Sequence, residues 1–334
     1  MVINRVLIRA DSSSQLGAGH VMRSVALAQY LSHQNIQVKF LTFTKSKDLS
    51  EYLKKQKFEI EFVLKPTKNV NESREIIVRQ LKTGFDWLIL DDYELGEADH
   101  LLFRTHAKLL VISDVSPYTK QADIVMNHAL TDSNEKSNKP LYLFGTQYAL
   151  IRQELIHSNK REKKSNQNIL ITLGGSPFPE LLNQILSAIN LISDRILHVK
   201  VLSNLMGQRI ARYKISGRHK IEYSSPSFDM QNLLNWADVS ISAAGGTSWE
   251  LCYFGVTGII GIVADNQIQI AKNLNEHGIF KSVGWYKDCP PDRLAGELNQ
   301  LLNNPDLLFQ MRTKAKQLID GKGPERIFKA MQGI

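Results

Sequence analysis

The chain has 334 residues, enough for two domains that each bury a core, so a single very small domain is excluded. Its two cysteines, Cys252 and Cys289, stand in separate segments, so neither a disulfide framework nor a thiolate metal site is expected, and a reducing compartment fits. The formal net charge of +8 suits an acidic partner, but the densest basic cluster, NKREKK at 159–164, lacks apolar periodicity and interleaved aromatics, so nucleic acid is not expected.

Met1 leads directly into a short apolar run, Val6, Leu7 and Ile8, flanked by Arg5 and Arg9. Neither a secretory leader nor a membrane span is expected, and the cytoplasm is the expected location. Next comes LGAGHVMR, a glycine turn followed by Val21, Val25, Ala28 and Leu31 at helical spacing. His20 therefore falls at a helix N-terminus just after a strand. Free N–H groups and the positive end of the macrodipole favour an anion there, and Gly17 and Gly19 let it approach the backbone. A dinucleotide fingerprint would need a third glycine where this chain has Met22, so a nicotinamide or flavin is not expected. The same helix end disfavours an imidazolium, and a neutral ring is what a general base requires. His20 is thus the candidate catalytic base; the bland alternative is a polar residue tolerated at a helix start.

The runs VKFLTF, FEIEFVL, WLILDD, LLVISD and DIVMNH follow, alternating with helical or loop stretches, which implies a parallel sheet covered by helices. The third sets Asp91, Asp92 and Tyr93 at a strand end. No residue at ligand spacing completes a metal set with the two acids, so no metal is expected. Asp91 reads as a loop cap, and Asp92 stands second to His20 as a base. Tyr93 offers a sugar both an apolar face and a hydroxyl. The polar stretch HSNKREKKSNQN reads as a connection, giving a first domain at 1–158, a linker at 159–166 and a second domain at 167–334.

The second half repeats the grammar with NILITLGG, HVKVLS, KIEYSS, VSISAAGG and GIIGIVA. Two further glycine turns follow strands, one with Gly174 and one with Gly245 and Gly246. In GGTSWE, Thr247 or Ser248 can cap the helix and join the free amides in holding a phosphate. Glu250 has two open readings: a capping box with Thr247, or acceptance of ribose hydroxyls. Asn266 and Gln267 close the VADNQ run, where turn chemistry and substrate binding are both open. A terminal helix from about Pro305 to Gln332, interrupted at GKGP, can return to the first domain. The fold class is α/β, with two Rossmann-like domains facing across a cleft.

The segments IRADSSSQLGAGHVMRSVALA, LILDDY, LFGTQYALIRQE, ITLGGS, AAGGTSWELCYFG and ADNQ, in that order, resemble the UDP-sugar hydrolases of pseudaminic acid biosynthesis. That family is similar in architecture to the MurG-type glycosyltransferases of the GT-B kind. The resemblance covers nearly the whole chain, and its first and fifth segments are the most specific. It implies a UDP-linked 2,4-diacetamido-2,4,6-trideoxy-β-L-altropyranose as substrate. It also implies that water replaces UDP at the anomeric carbon, with C–O cleavage and inversion and without metal or other cofactor. The family's catalytic histidine falls on His20, its sugar-contacting tyrosine on Tyr93, its ribose ligand on Glu250 and the asparagine of its A-D-N-Q motif on Asn266. Asp92 stands where the family commonly has histidine. The expected partners are the UDP-sugar and the UDP product, with no membrane. A GT-B glycosyltransferase and a non-catalytic UDP-sugar binder are the alternatives.

Overall fold

The computed structural model describes residues 2–12, 17–63, 70–114, 117–129, 140–156, 167–174, 179–202, 217–224 and 230–334. The apolar runs become strands, and central ones such as Trp87–Asp91, Val239–Ala243 and Thr257–Ile262 are buried on both faces, as parallel sheets require. In the first sheet these are β1 (Arg5–Ala10), β2 (Gln37–Thr42), β3 (Glu59–Phe62), β4 (Trp87–Asp91), β5 (Lys108–Ile112), β6 (Ile124–Asn127) and β7 (Leu141–Phe144). Their order is β3-β2-β1-β4-β5-β6-β7, every pair parallel. The chain steps outward from β1 on one side and then returns to β1 on the other, so the strand order reverses between β1 and β4. Open parallel sheets bind ligands at the carboxyl ends of strands beside such a reversal.

The second sheet holds β8 (Asn168–Thr172), β9 (His198–Leu202), β10 (Lys220–Ser224), β11 (Val239–Ala243), β12 (Thr257–Ile262) and β13 (Lys281–Trp285). Their order, β10-β9-β8-β11-β12-β13, is again parallel and reverses between β8 and β11. One core packs Leu7, Leu41, Leu88 and Leu90 under Ile77, Leu81 and Phe103. The other packs Ile169, Ile171, Ile241 and Ile259 under Ile185, Ile189, Leu298 and Met311.

The chain divides into two compact units, one of Met1–Ile156 with Gly321–Ile334, the other of His157–Asp320. The linker expected at 159–166 lies outside the described residues. The expected terminal helix is two helices, Pro305–Leu318 and Gly323–Gly333, parted where Gly321 takes a φ of +78°. Arg312 of the former donates to the Asp238 carbonyl at 3.2 Å in the second unit. The latter packs in the first unit: Phe328 meets Tyr30 with centroids 6.0 Å apart, and Arg326 donates to the Gln147 carbonyl at 2.9 Å.

Gly323 makes this return possible, because a Cβ there would fall on the Ala149 carbonyl oxygen. Backbone on the far side cannot swing away as a flexible side chain would. Gly323→Ala is expected to destabilise the first unit by about 1–3 kcal/mol, in the range of overpacking substitutions. Urea titration followed by circular dichroism checks this; an unchanged midpoint would show that the terminal helix shifts freely.

Candidate functional site

The first glycine turn runs from Gly17, with a φ of +66°, into the helix Gly19–His33. His20, Arg23 and Ser24 are spaced i, i+3, i+4 and so share one helical face. That face meets Asp91, the last residue of β4, whose register partner on β1 is Ala10. His20 Nδ1 lies 2.6 Å from Asp91 Oδ1. Arg23 donates from Nε to Asp91 Oδ2 at 2.6 Å and from Nη2 to Asp91 Oδ1 at 2.7 Å. Ser24 donates to Asp91 Oδ2 at 3.3 Å. Asp91 is 2% exposed and His20 7%.

An ionised carboxylate only accepts, so His20 Nδ1 carries a proton in this contact, and in the neutral ring Nε2 keeps the lone pair. Burial alone would raise the Asp91 carboxyl, but Arg23 and His20 hold it well below the usual carboxylate range. Arg23 Nη1 also donates to Asp114 Oδ2 at 2.6 Å, just past the end of β5. Burial opposes ionisation of Asp114 as well, and Arg23 with His128 holds it low. Burial, then the Arg23 charge, push neighbouring His128 down to about 4, so it is neutral at physiological pH.

Tyr93 is 40% exposed and packs edge-on against His20, with centroids 4.7 Å apart and an interplanar angle of 89°. Its hydroxyl donates to Asp114 Oδ2 at 2.9 Å. Burial and then the Asp114 charge keep the phenol protonated. The loop cap read at Asp91 from the sequence belongs instead to Asp92. Asp92 is the loop cap, accepting the N–H groups of Glu94 at 2.7 Å and Leu95 at 2.9 Å, while Asp91 is the buried partner of the histidine.

In the second unit, Gly174 follows β8 with a φ of +85°. Gly245 and Gly246 follow β11 and open the helix Thr247–Phe254. The N-cap is Gly246 and no side chain caps it, which corrects the expectation that Thr247 or Ser248 would do so. The helix starts one residue earlier, so the residue three beyond the cap is Trp249 and the capping-box reading of Glu250 lapses. The Ser248 hydroxyl is buried and points to the Ala243 carbonyl at 3.4 Å, away from any ligand at the helix end. Gly245, Gly246 and Thr247 remain partly or fully exposed, as does Glu250 in the first turn. Gln267 accepts the Val263 N–H at 3.0 Å, which turns its Nε2 toward Gly245. Asn266 is exposed beside it in the short turn Asp265–Gln267.

The sequence reading missed Arg23 and Asp114. The signals were an arginine on the helical face of His20, inside an otherwise apolar segment, and a second strand ending in acid, LLVISD, next to WLILDD. Among the described residues no group of three or more His, Cys, Asp or Glu side chains could hold a metal ion, and no helix is long and apolar enough to cross a membrane.

Residues 145–326 match a family model described as the glycosyltransferase family 28 C-terminal domain. The spore coat polysaccharide biosynthesis protein SpsG of Bacillus subtilis is 25% identical, over 98% of this chain and 97% of its own length. The UDP-2,4-diacetamido-2,4,6-trideoxy-beta-L-altropyranose hydrolase of Campylobacter jejuni is 28% identical over 55% of this chain and 65% of that protein. The match thus spans just under two thirds of that hydrolase. Among solved structures, MurG of Acinetobacter baumannii superposes with a TM-score of 0.71 at 20% identity, covering 99% of this chain and 100% of that one. The likeness is one of fold and places the two parallel-sheet units in the GT-B class.

The Asp91 cluster makes a prediction about stability. Asp91→Asn leaves Arg23 with one buried acceptor too few, and breaking a buried pair from one side costs about 3–5 kcal/mol. Because the folded Asp91 and Asp114 carboxyls sit below their unfolded values of about 3.9, their contribution is complete above that pH and is lost as pH falls through the folded values. Thermal midpoints recorded between pH 7 and pH 2 should be lower in Asp91→Asn at neutral pH and fall less steeply in acid than those of wild type. Parallel curves would show that the pair contributes no net stability.

Proposed function

Because the chain belongs to the family described as the glycosyltransferase family 28 C-terminal domain, we propose that its second unit holds the nucleotide of a UDP-sugar and that the whole chain hydrolyses that UDP-sugar to UDP and free sugar. The observation that carries the reading is His20, whose Nδ1 is anchored on a buried carboxylate while Nε2 is left to take a proton. An oriented imidazole of this kind is the working part of a general base. Partial similarity to the Campylobacter hydrolase supports water as nucleophile and a 2,4-diacetamido-2,4,6-trideoxyhexose as the sugar. The activity then belongs to the biosynthesis of pseudaminic acid or a related nonulosonic acid.

In the proposed reaction, the water oxygen attacks the anomeric carbon from the face opposite UDP and passes its proton to His20 Nε2. The bond from the anomeric carbon to the β-phosphate oxygen breaks, its electron pair leaving with UDP, and the configuration inverts. Asp91 stabilises the imidazolium as it forms. Diphosphate is a weak base, so its departure calls for electrostatic stabilisation rather than a proton. The helix start at Gly245, Gly246 and Thr247 supplies N–H dipoles for that purpose. The second carboxylic acid of ordinary glycosidases is then unnecessary. Glu250 is assigned to the ribose hydroxyls, Tyr93 and Asn266 to the sugar, and Gln267 and Gly174 to the same substrate. Gly17 and Gly19 give the substrate access to the backbone before His20, and no metal or cofactor takes part. Transfer to an acceptor hydroxyl is the second reading, favoured by the description of the matched family.

Proton and phosphorus NMR with the UDP-diacetamido sugar and with UDP-N-acetylglucosamine tests this. Release of UDP from the first, with ¹⁸O from labelled water in the sugar and none in UDP, is the expected result. No release without an added acceptor would favour transfer. His20→Asn is expected to lower kcat by about 10²–10⁴ with UDP affinity little changed, as for loss of a general base. Near-normal kcat with weakened binding would make His20 a ligand instead. Glu250→Ala should weaken UDP binding by about 1.5–3 kcal/mol, the scale of a charge-assisted hydrogen bond, as read by calorimetric titration. Unchanged affinity would remove Glu250 from the nucleotide site.

A further inference from the structure

One guanidinium serves both rings of the first-unit site. Arg23 Nε and Nη2 hold the two oxygens of Asp91 at 2.6 and 2.7 Å, and Nη1 holds Asp114 Oδ2 at 2.6 Å. Asp91 in turn takes His20 Nδ1 at 2.6 Å, and Asp114 takes the Tyr93 hydroxyl at 2.9 Å. Carboxylates have no donor to give, so both partners must donate to them. Donation from Nδ1 leaves a lone pair on His20 Nε2, and donation from the phenol leaves the lone pairs of the Tyr93 oxygen. The two rings are in contact, 4.7 Å between centroids.

We propose that Arg23 is a positioning residue that sets the base and the phenol together: by holding Asp91 and Asp114 with one guanidinium it presents His20 Nε2 and the Tyr93 oxygen as a pair of acceptors. A group that reaches both must bring two donors. Lysine cannot replace this arrangement, because an ammonium lacks the planar fork that engages two carboxylates at fixed angles. The inference rests on the reading of His20 as base and goes beyond it, since it assigns roles to Arg23 and Asp114, which touch no substrate in that reading.

Arg23→Lys and Asp114→Asn in the full chain test the proposal by two readouts. Nitrogen NMR of the histidine-labelled protein, at a pH where the imidazole is neutral, gives the His20 tautomer; the signal is assigned by its loss in His20→Asn. The proposal expects the Nδ1–H form in wild type, a mixture with the Nε2–H form in Arg23→Lys, and the wild-type tautomer in Asp114→Asn. Steady-state UDP release should show kcat lowered about 10–100-fold in Arg23→Lys, the usual scale for loss of an orienting partner. Asp114→Asn should mainly raise KM, through Tyr93. Combined with Arg23→Lys it should cost several-fold less than alone, because both changes break the same hub.

An unaltered tautomer and kcat in folded Arg23→Lys would overturn the proposal and leave Arg23 as a neutraliser of buried acids, as would independent, multiplying effects in the double variant. If Arg23→Lys does not fold, Asp114→Asn decides, and an unchanged KM overturns the proposal. Failure of the wild type to release UDP from any UDP-sugar would sink the hydrolase reading alone; the tautomer comparison would still judge Arg23.

Discussion

The buried carboxylate of Asp91 is the constraint around which the first unit is arranged. An unpaired carboxylate at the end of a central strand would cost several kcal/mol in lost solvation, so the chain must bring partners to it. They come from the first turns of a single helix, which supplies Arg23 as counter-charge and His20 and Ser24 as further donors. That demand fixes several features at once. β1 ends at Ala10 and the helix begins at Gly19, Gly17 takes a positive φ to turn the chain between them, and β1 and β4 pair so that Ala10 stands beside Asp91. A histidine held this way is oriented by the same interaction that makes its neighbourhood foldable.

The second unit reaches its site by a different route, with backbone in place of buried charge. Two glycines follow β11 and open a helix whose Ser248 and Trp249 N–H groups bond back to the Gly245 and Gly246 carbonyls at 2.9 and 3.2 Å. Behind it, Gly261 leaves room for the ring of Tyr286, whose hydroxyl donates to the Ser242 carbonyl at 2.9 Å and locks β13 onto the strand that carries the turn. Gln267 turns its amide toward the same glycines. Dipoles that cost little to bury suit a diphosphate, which brings its own charge. The orienting of a proton acceptor belongs to the first unit, where a fixed carboxylate is available.

Much of this was readable before any coordinates. Strands buried on both faces are written as short apolar runs, and glycine turns at their ends place helix starts, so the two α/β units, His20 and the Gly245–Thr247 turn all follow from local patterns. What could not be read locally is the pairing across distance. Asp91 lies 71 residues from His20 and 68 from Arg23, and nothing in LILDDY says which acid turns inward. The end of the strand settles it: Asp91 is the last residue of β4, buried at every position, and Asp92 falls beyond it, where it caps the turn. Ser248 was misread for a related reason. A one-residue difference in where a helix begins carries a hydroxyl from the ligand side to the core.

The same hydrogen-bond logic bears on hydrolysis against transfer. A histidine oriented by a carboxylate will deprotonate any O–H brought to it, so His20 and Asp91 alone do not choose the nucleophile, and the family description and the hydrolase relative are both compatible with them. In the proposed reaction the choice falls to the partner acceptor. With Tyr93 obliged to donate to Asp114, its oxygen keeps its lone pairs as a second acceptor on a half-exposed ring. Water then offers one O–H to Nε2 and the other to the phenol. An alcohol has one O–H and leaves an acceptor unpaired, at about 1–3 kcal/mol once the site is desolvated. Under the proposed reaction that corresponds to roughly a ten- to hundredfold preference for water, arising from the direction of one phenolic hydrogen bond and needing no steric exclusion of the acceptor.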